Sequence, residues 1–306
     1  ATGSTADGTD ATTSETADWQ NRWDTAYAKR SGADEAPARF NTSGWLSSYT
    51  GEPIATAAMR EWLDQTTQSI RDLKPQRVLE IGCGTGMILY SCLEHVEHYT
   101  AVDLSPVALE SIRNELSEDE RRKVTLLNRA ADQLDAIDNN SCDVVIINSV
   151  AQYFPSADYL TRVLTQAARI LNEGGVIFLG DVRSLEAANA FHTLVELHKA
   201  PGQTSAASLA DRIKERQALD TELLLARQFF TNITHDVPGL HLVSMQNKRG
   251  THATEMRDFR YDVVLRAGAP EQALDLPTAS KLEHPKSTDA IRQALTSTTT
   301  MLHLTG

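Results

Sequence analysis

From Arg77 onward, short apolar runs alternate with longer amphipathic stretches. The pattern predicts strand and helix in turn, and so a parallel sheet covered on both faces. Strands are expected at 77–81, 99–103, 123–128, 142–148 and 175–181, and helices at 86–95, 105–116, 157–171 and 184–199. Val144-Val-Ile-Ile147 is apolar throughout, as a strand buried on both sides should be. Asn172-Glu-Gly-Gly175 reads as the turn that ends one helix and launches the next strand. Residues 203–230 read as a helical insertion, after which Leu240–Met245 and Phe259–Leu265 form a closing antiparallel pair. The fold class expected is α/β, a doubly wound, mostly parallel seven-stranded sheet of Rossmann-like type.

The flanks have a different character. Residues 1–17 carry almost no large apolar side chain and predict a disordered tail. Trp19, Trp23 and Tyr27 recur at helical spacing. Phe40–Ile54 is turn-rich and aromatic, suited to a lid, and a helix is expected over 55–73 with Met59, Trp62, Leu63 and Ile70 on one face. After Gly268 the chain turns to Pro, Ala, Ser and Thr, with a weak helix near 287–296 and an apolar ending at Met301–Leu304. The expected organisation is a tail (1–17), a helical lid (18–74), a core (75–268) with its insertion at about 200–235, and a loosely attached extension (269–306).

Composition narrows the chemistry. The 306 residues are 41% hydrophobic and 23% charged, with a net charge of −12. No basic stretch is dense enough to track a phosphate backbone, so nucleic acid is not the expected partner. Arg121-Arg-Lys123 sits beside Glu118-Asp-Glu120 and reads as a solvated helix end. Cys83, Cys92 and Cys142 lack C-x-x-C or histidine spacing, which favours reduced core thiols and a cytoplasmic compartment. No apolar run has membrane length and no signal peptide is visible. No His, Cys or carboxylate set has ligand spacing, so no metal is expected.

The sharpest local signal is Val78-Leu-Glu-Ile-Gly-Cys-Gly-Thr-Gly86, followed by Ala101-Val-Asp103. Gly82, Gly84 and Gly86 alternate, which differs from the G-x-G-x-x-G of dinucleotide folds, and no Lys-Ser/Thr of a phosphate loop follows. Glu80 precedes the turn, where it would repel a phosphate and welcome a sulfonium or ammonium. Asp103 ends the next strand, where a carboxylate takes ribose hydroxyls. Together these point to S-adenosylmethionine.

Five stretches carry a family resemblance: Phe40–Ile54, Val78–Leu89, Ile147-Asn-Ser-Val-Ala-Gln-Tyr-Phe-Pro155, Gly180-Asp-Val-Arg-Ser184, and Lys248-Arg-Gly250 with Phe259-Arg-Tyr-Asp-Val263. The chain resembles class I S-adenosylmethionine-dependent methyltransferases. It looks most like the N-methyltransferase domains inside nonribosomal peptide synthetases and their stand-alone relatives. The resemblance implies methyl transfer to a small amine, either an amino acid or a carrier-tethered aminoacyl or peptidyl group, in secondary metabolism. It leaves open a free-standing enzyme or an excised domain. It also implies that Glu80, Gly82 and Gly84 line the methionine moiety, Asp103 the ribose, Leu104 the adenine ring, and Ala131-Asp132 its amino group.

The remaining candidates are each weighed against a plainer role. Tyr49 is expected to cover the sulfonium, or is an ordinary lid aromatic. Asn148 and Ser149 end the fourth strand and are expected to meet the donor or acceptor, with helix capping the alternative for Ser149. Tyr153 lies one turn on. Asp181 is expected to orient the acceptor amine and Arg183 to meet a carboxylate, carbonyl or carrier-linked group, unless the two pair as rim structure. His192 and Glu255 are lesser candidates for the base. Two rival functions remain: cyclisation of the donor to azetidine-2-carboxylate with loss of methylthioadenosine, and a non-catalytic module of the same fold.

Overall fold

The computed structural model describes Asp24, Thr25, Tyr27 and residues 39–268, together with the backbone of 280–283 and 302–305. Two compact units divide the chain, Ala1–Gly268 and Ala269–Gly306. In the first, β1 (Arg77–Ile81), β2 (His98–Asp103), β3 (Val124–Asn128), β4 (Cys142–Asn148), β5 (Leu171–Arg183), β6 (Leu240–Asn247) and β7 (Arg260–Ala267) form one sheet. Its order is β3-β2-β1-β4-β5-β7-β6. The first five strands run parallel, while β7 lies antiparallel to β5 and β6 antiparallel to β7. This is the seven-stranded, mostly parallel sheet the periodicity predicts.

Strand alternation places a core on each face. Leu79, Ile81, Val145, Ile147, Ile177 and Leu179 face one cluster, whereas Val78, Val144, Ile146, Val176 and Phe178 face the other. The first face is covered by α5 (Ala157–Ile170), whose Leu160, Val163, Leu164, Ala167 and Ile170 are wholly buried. Ser156 starts that helix by accepting a hydrogen bond from Tyr159 N. The second face is covered by α1 (Thr56–Asp72), α2 (Met87–Cys92) and α3 (Pro106–Glu115), which contribute Ile70, Leu89 and Ile112. Each such aliphatic side chain contributes about 1.5–3 kcal/mol when removed from water. The short α4 (Glu118–Arg121) precedes β3 with a capping box between Ser117 and Glu120.

Several boundaries depart from the sequence pattern. Residues 172–175 belong to β5. Leu171 pairs with Cys142 and Val176 with Val144, so the intervening residues bulge, with Gly174 at φ +77°. The helix expected from residue 184 begins later, as α6 (Ala188–Lys199). Ser184 is held extended by a bridge to Leu225, and its amide donates to Phe259 O. The insertion is α7 (Ala206–Leu219), α8 (Arg227–Thr231) and α9 (Ile233–Asp236). A further short helix, α10 (Glu255–Phe259), has no apolar period to announce it and starts at a Thr254 cap.

Asp24, Thr25 and Tyr27 are helical. The tail at 1–17, Trp19, Trp23 and the helix expected at 287–296 lie outside the described residues. The second unit contains β8 (Ser280–Glu283) paired in parallel with β9 (Leu302–Thr305). Among the described residues no helix is long and apolar enough to cross a membrane, no group of three or more His, Cys, Asp or Glu gathers to hold a metal, and the three cysteines are free and buried.

Candidate active site

A cavity of about 750 Å³ opens at the carboxyl ends of the parallel strands, where ligands of such sheets bind. One half is built by the turn after β1. Gly82, Gly84 and Gly86 have φ of +77°, +51° and +82°, values that residues with a Cβ adopt only under strain. The turn is tied to β2: Gly82 N donates to Val102 O at 2.7 Å, and Gly84 N to Asp103 Oδ2 at 2.8 Å. Asp103 Oδ1 accepts from Ser105 N at 2.8 Å. Each Asp103 oxygen therefore takes one backbone donor and keeps a second lone pair for a ligand hydroxyl. Leu104 and Ala131 continue this wall, and Tyr27 closes over Gly84.

Burial sets the electrostatics here. Glu80 is buried at 3% exposure and its carboxyl is pushed up to about 8 by loss of solvent, although Tyr99 OH donates to it at 2.8 Å and opposes the shift. Burial also raises Asp103, against the hydrogen bonds from Ser105 and Gly84. Two carboxyl groups starved of water make an environment that a cation relieves.

The second feature lies between β4 and β5. Ser149 and Asp181, at neighbouring strand ends, both have left-handed backbone, at φ +54° and +61°. Such strain costs about 1–3 kcal/mol per residue and persists only where the surroundings enforce it. Here Ser149 Oγ and Asn148 Nδ2 donate to Asp181 Oδ2, Trp62 Nε1 donates to the same oxygen at 2.8 Å, and Lys248 Nζ lies 3.0 Å from Oδ1. Burial opposes ionisation of Asp181, but the Lys248 and Arg260 charges hold its carboxyl below the usual range. Lys248 also pairs with Asp262 at 3.2 Å, a carboxyl that burial raises to about 6. Asn148 lines the cavity, while its Oδ1 is buried without a partner against Gly180 of β5, where a Cβ would lie 1.8 Å from it.

The far half of the cavity has aromatic walls, from Trp45, Trp62, Tyr153, Phe191 and Phe259. Arg183 Nη1 and Nη2 bind both oxygens of Asp220, at 3.0 and 2.8 Å, and Nη1 also meets Glu222 at 2.9 Å. His192 Nε2 lies 3.2 Å from Asp220 Oδ2, which leaves Nδ1 buried and unpartnered. Glu196 of α6 is clamped by Arg212 and Arg216 of α7, fixing the insertion across the cavity.

The structure thus brings Glu80, Gly82, Gly84, Asp103 and Leu104 onto one wall with Ala131, and Asn148, Ser149, Tyr153 and Arg183 onto the wall that continues it. Three expected residues sit elsewhere. Tyr49 stacks on His198, with ring centroids 4.6 Å apart, outside the cavity lining. Asp132 accepts from Tyr159 OH at 3.0 Å and pairs with Arg162. Asp181 has 0% exposure and is committed to Lys248 and Trp62, so it supports the wall from behind and does not reach an amine directly. The carboxylates that Arg183 meets are the chain's own, and no Asp181–Arg183 pair forms. Glu255 lines the cavity while accepting from Ser48 N at 2.6 Å. Tyr27, Trp62, Asp220, Glu222 and Arg260 were not legible as site residues. The two acids fall in a polar insertion with no motif, and Trp62 reads as one more apolar position of a helix.

A family model described as "Methyltransferase domain" matches residues 79–177. Chondramide synthase cmdD of Chondromyces crocatus is 39% identical over 249 residues, covering 80% of this chain and 6% of that protein. A probable non-canonical nonribosomal peptide synthetase, CymA of Salinispora arenicola, is 36% identical over 263 residues, covering 85% of this chain and 3% of that protein. The chain therefore spans a small fraction of the length of these relatives. Among solved structures, N-methyltransferase NodS of Bradyrhizobium japonicum, in complex with S-adenosyl-L-homocysteine, superposes with a TM-score of 0.51 at 15% identity, over 82% of this chain and 98% of NodS. Magnesium protoporphyrin IX methyltransferase (ChlM) of Synechocystis gives 0.52 at 11% identity, over 83% and 100%. At these identities the likeness is one of fold.

Proposed function

Because the chain belongs to the class I S-adenosylmethionine-dependent methyltransferases, we propose that it methylates the nitrogen of a small amine, an amino acid or a carrier-tethered aminoacyl or peptidyl group, in the making of a nonribosomal peptide or related metabolite. The observation that carries this reading is the pairing of two environments in one cavity. Buried acids and a glycine turn occupy one half, and a broad aromatic wall with a half-free histidine occupies the other.

The residues present fit the methyl donor. Asp103 offers lone pairs to the ribose, Leu104 and Ala131 an apolar slot to the adenine ring, and Glu80 a buried carboxyl to the cationic methionine moiety. When bound, S-adenosylmethionine supplies a methyl group already activated by its sulfonium. The chain's task is to align, dehydrate and deprotonate. Alignment of this kind is worth roughly 7–11 kcal/mol at its limit. Trp45 and Trp62, whose centroids are 4.9 Å apart, exclude water on the lid side. An amine attacks only when neutral. Asp220 fixes His192 with Nε2 protonated, and Nδ1 takes the proton. Asp181 acts behind this surface, holding Asn148, Ser149 and Trp62 in place.

The size of the cavity, about 750 Å³, supports a second molecule beside the donor and so favours transfer over internal cyclisation. Incubation with S-adenosylmethionine, alone and with candidate amines, followed by mass-resolved product analysis tests this reading. S-adenosylhomocysteine whose formation requires an amine is expected. Methylthioadenosine formed from the donor alone would overturn the proposal.

A further inference from the structure

Arg260 opens β7 directly across from Arg183 of β5. Residues opposed in this way project to the same side of the sheet, and two like charges there repel unless each is compensated. Arg183 is compensated by Asp220 and Glu222, and its guanidinium lies over the Phe191 ring at 5.1 Å. Arg260 is different. It lines the cavity, makes no ion pair with a described residue, and its Nη1 is buried with no hydrogen-bond partner. The neighbouring carboxylates are already committed: Asp220 and Glu222 to Arg183, Asp181 to Lys248, and Glu255 to Ser48 N. A buried guanidinium donor left bare is costly, so an oxygen from outside the chain has reason to occupy it.

The same aromatic patch carries a complementary vacancy in bonding. Phe259, next to Arg260, packs edge-on against Phe191 at 5.5 Å, and Phe191 packs against His192 at 5.1 Å. An unpaired donor at Arg260 and an unpaired acceptor at His192 Nδ1 thus border one patch of the wall. A plain amine answers only the histidine. An α-amino carbonyl compound answers both, because it carries an N–H donor and a carbonyl oxygen on adjacent atoms of one small group.

We propose that Arg260 binds the carbonyl-type oxygen adjacent to the acceptor nitrogen, and so selects α-amino carbonyl compounds over simple amines. The oxygen belongs either to the carboxylate of a free amino acid or to the carbonyl of a tethered acyl group. Both present the same acceptor to a guanidinium, and the fork geometry of arginine matches the carboxylate best. This rests on the amine reading above and adds the part of the substrate that the protein recognises.

Calorimetric titration of the protein saturated with S-adenosylhomocysteine tests the subsite without requiring turnover. The probes are L-valine, L-valinamide and isobutylamine, and L-phenylalanine, L-phenylalaninamide and phenethylamine. Wild-type protein should bind the carbonyl-bearing members of at least one series about 10- to 100-fold more tightly than the matching amine, the range expected of a hydrogen bond to a charged group. Preference for the amino acid over its amide identifies a free carboxylate as the substrate group, and equal binding of the two identifies a tethered carbonyl. Arg260→Gln should abolish the preference while binding S-adenosylhomocysteine unchanged, and Arg260→Lys should retain part of it. If Arg260→Gln does not fold, an Arg260→Lys protein with the full wild-type preference overturns the proposal. Absence of a carbonyl-dependent difference in the wild type, or its persistence in Arg260→Gln, does the same. Methyl transfer to these compounds is followed separately. Arginine-dependent binding without transfer sinks the amine-methylation reading and leaves the subsite standing, whereas transfer with arginine-independent binding sinks the subsite alone.

Discussion

The indole Nε1 of Trp62 donates a 2.8 Å hydrogen bond to Oδ2 of the buried Asp181. This bond joins α1 of the lid to the end of β5 and fixes an aromatic wall of the cavity against the strained Ser149–Asp181 pair. Trp62→Phe removes the donor and keeps a ring of similar character. Asp181 retains Lys248, Ser149 and Asn148, so the loss in stability should be about 1–3 kcal/mol. Urea denaturation measures it. A variant as stable as wild type would mean that the bond does not couple lid and sheet.

Glu80 gives the cofactor half a pH signature. Its folded-state carboxyl is raised to about 8 by burial, above the usual value of 4.5. The sign follows from that elevation. Its contribution to stability is fully present below about pH 4.5 and is lost as pH rises to about 8, with a slope of up to about 1.4 kcal/mol per pH unit. Glu80→Gln should flatten this portion of the stability–pH curve for the ligand-free protein. Because a bound cation favours the ionised form, donor binding should release a proton and tighten as pH rises toward 8. Calorimetry in buffers of different ionisation enthalpy reads that proton directly. No difference between wild type and Glu80→Gln would remove Glu80 from the account.

The glycine turn tolerates little. A Cβ on Gly82 would lie 2.6 Å from Val150 Cγ2, on backbone at φ +77°. Gly82→Ala should cost about 2–5 kcal/mol from strain and overpacking together, and S-adenosylhomocysteine affinity should fall with it. Thermal unfolding with and without the ligand separates the two effects.

His192 is proposed as the proton acceptor, and its surroundings set its protonation. Burial lowers its pKa below 6.5, Asp220 opposes that shift, and Arg183 and Arg216 reinforce it. Those two arginines are themselves paired, Arg183 with Glu222 and Arg216 with Glu196. The imidazole is therefore neutral at pH 7, and turnover should fall as pH drops through a value below 6.5. His192→Gln should lower kcat by about 100-fold or more, abolish that acid limb and leave donor affinity intact. An acid limb unchanged in the variant would assign the proton to another group.

The sheet was legible because its signals are local. Val144–Ile147 is apolar throughout, and the Gly82–Gly86 turn and Asp103 sit where strand ends place them. What sequence could not supply were pairings made at long range. Arg183 and Asp181 are two residues apart on one strand, yet they face different partners. Arg183 meets Asp220 and Glu222 from the insertion, and Asp181 meets Lys248 from the segment before α10. Residues two apart on a regular strand share a face, but the left-handed backbone of Asp181 and the register shift between Leu179 and Val182 break that alternation, and no periodicity says which distant charge will be waiting. The β5 bulge is hidden in the sequence for a related reason. Asn-Glu-Gly-Gly reads as a turn on its own, but it is held in the sheet by Leu171 pairing with Cys142 beyond it. Tyr49 illustrates the converse: a lid aromatic in the right segment, taken up by a neighbour, His198, that the sequence does not point to.

The central claim is that one cavity holds a sulfonium methyl donor beside an amine and passes the methyl group to nitrogen. Its most direct test uses S-adenosylmethionine deuterated in the methyl group, an α-amino acid panel as acceptor, and fragmentation of the products by mass spectrometry. The account predicts the whole label on the acceptor nitrogen, with S-adenosylhomocysteine formed in equal amount. Label on oxygen or carbon, or methylthioadenosine produced with no acceptor present, would contradict it.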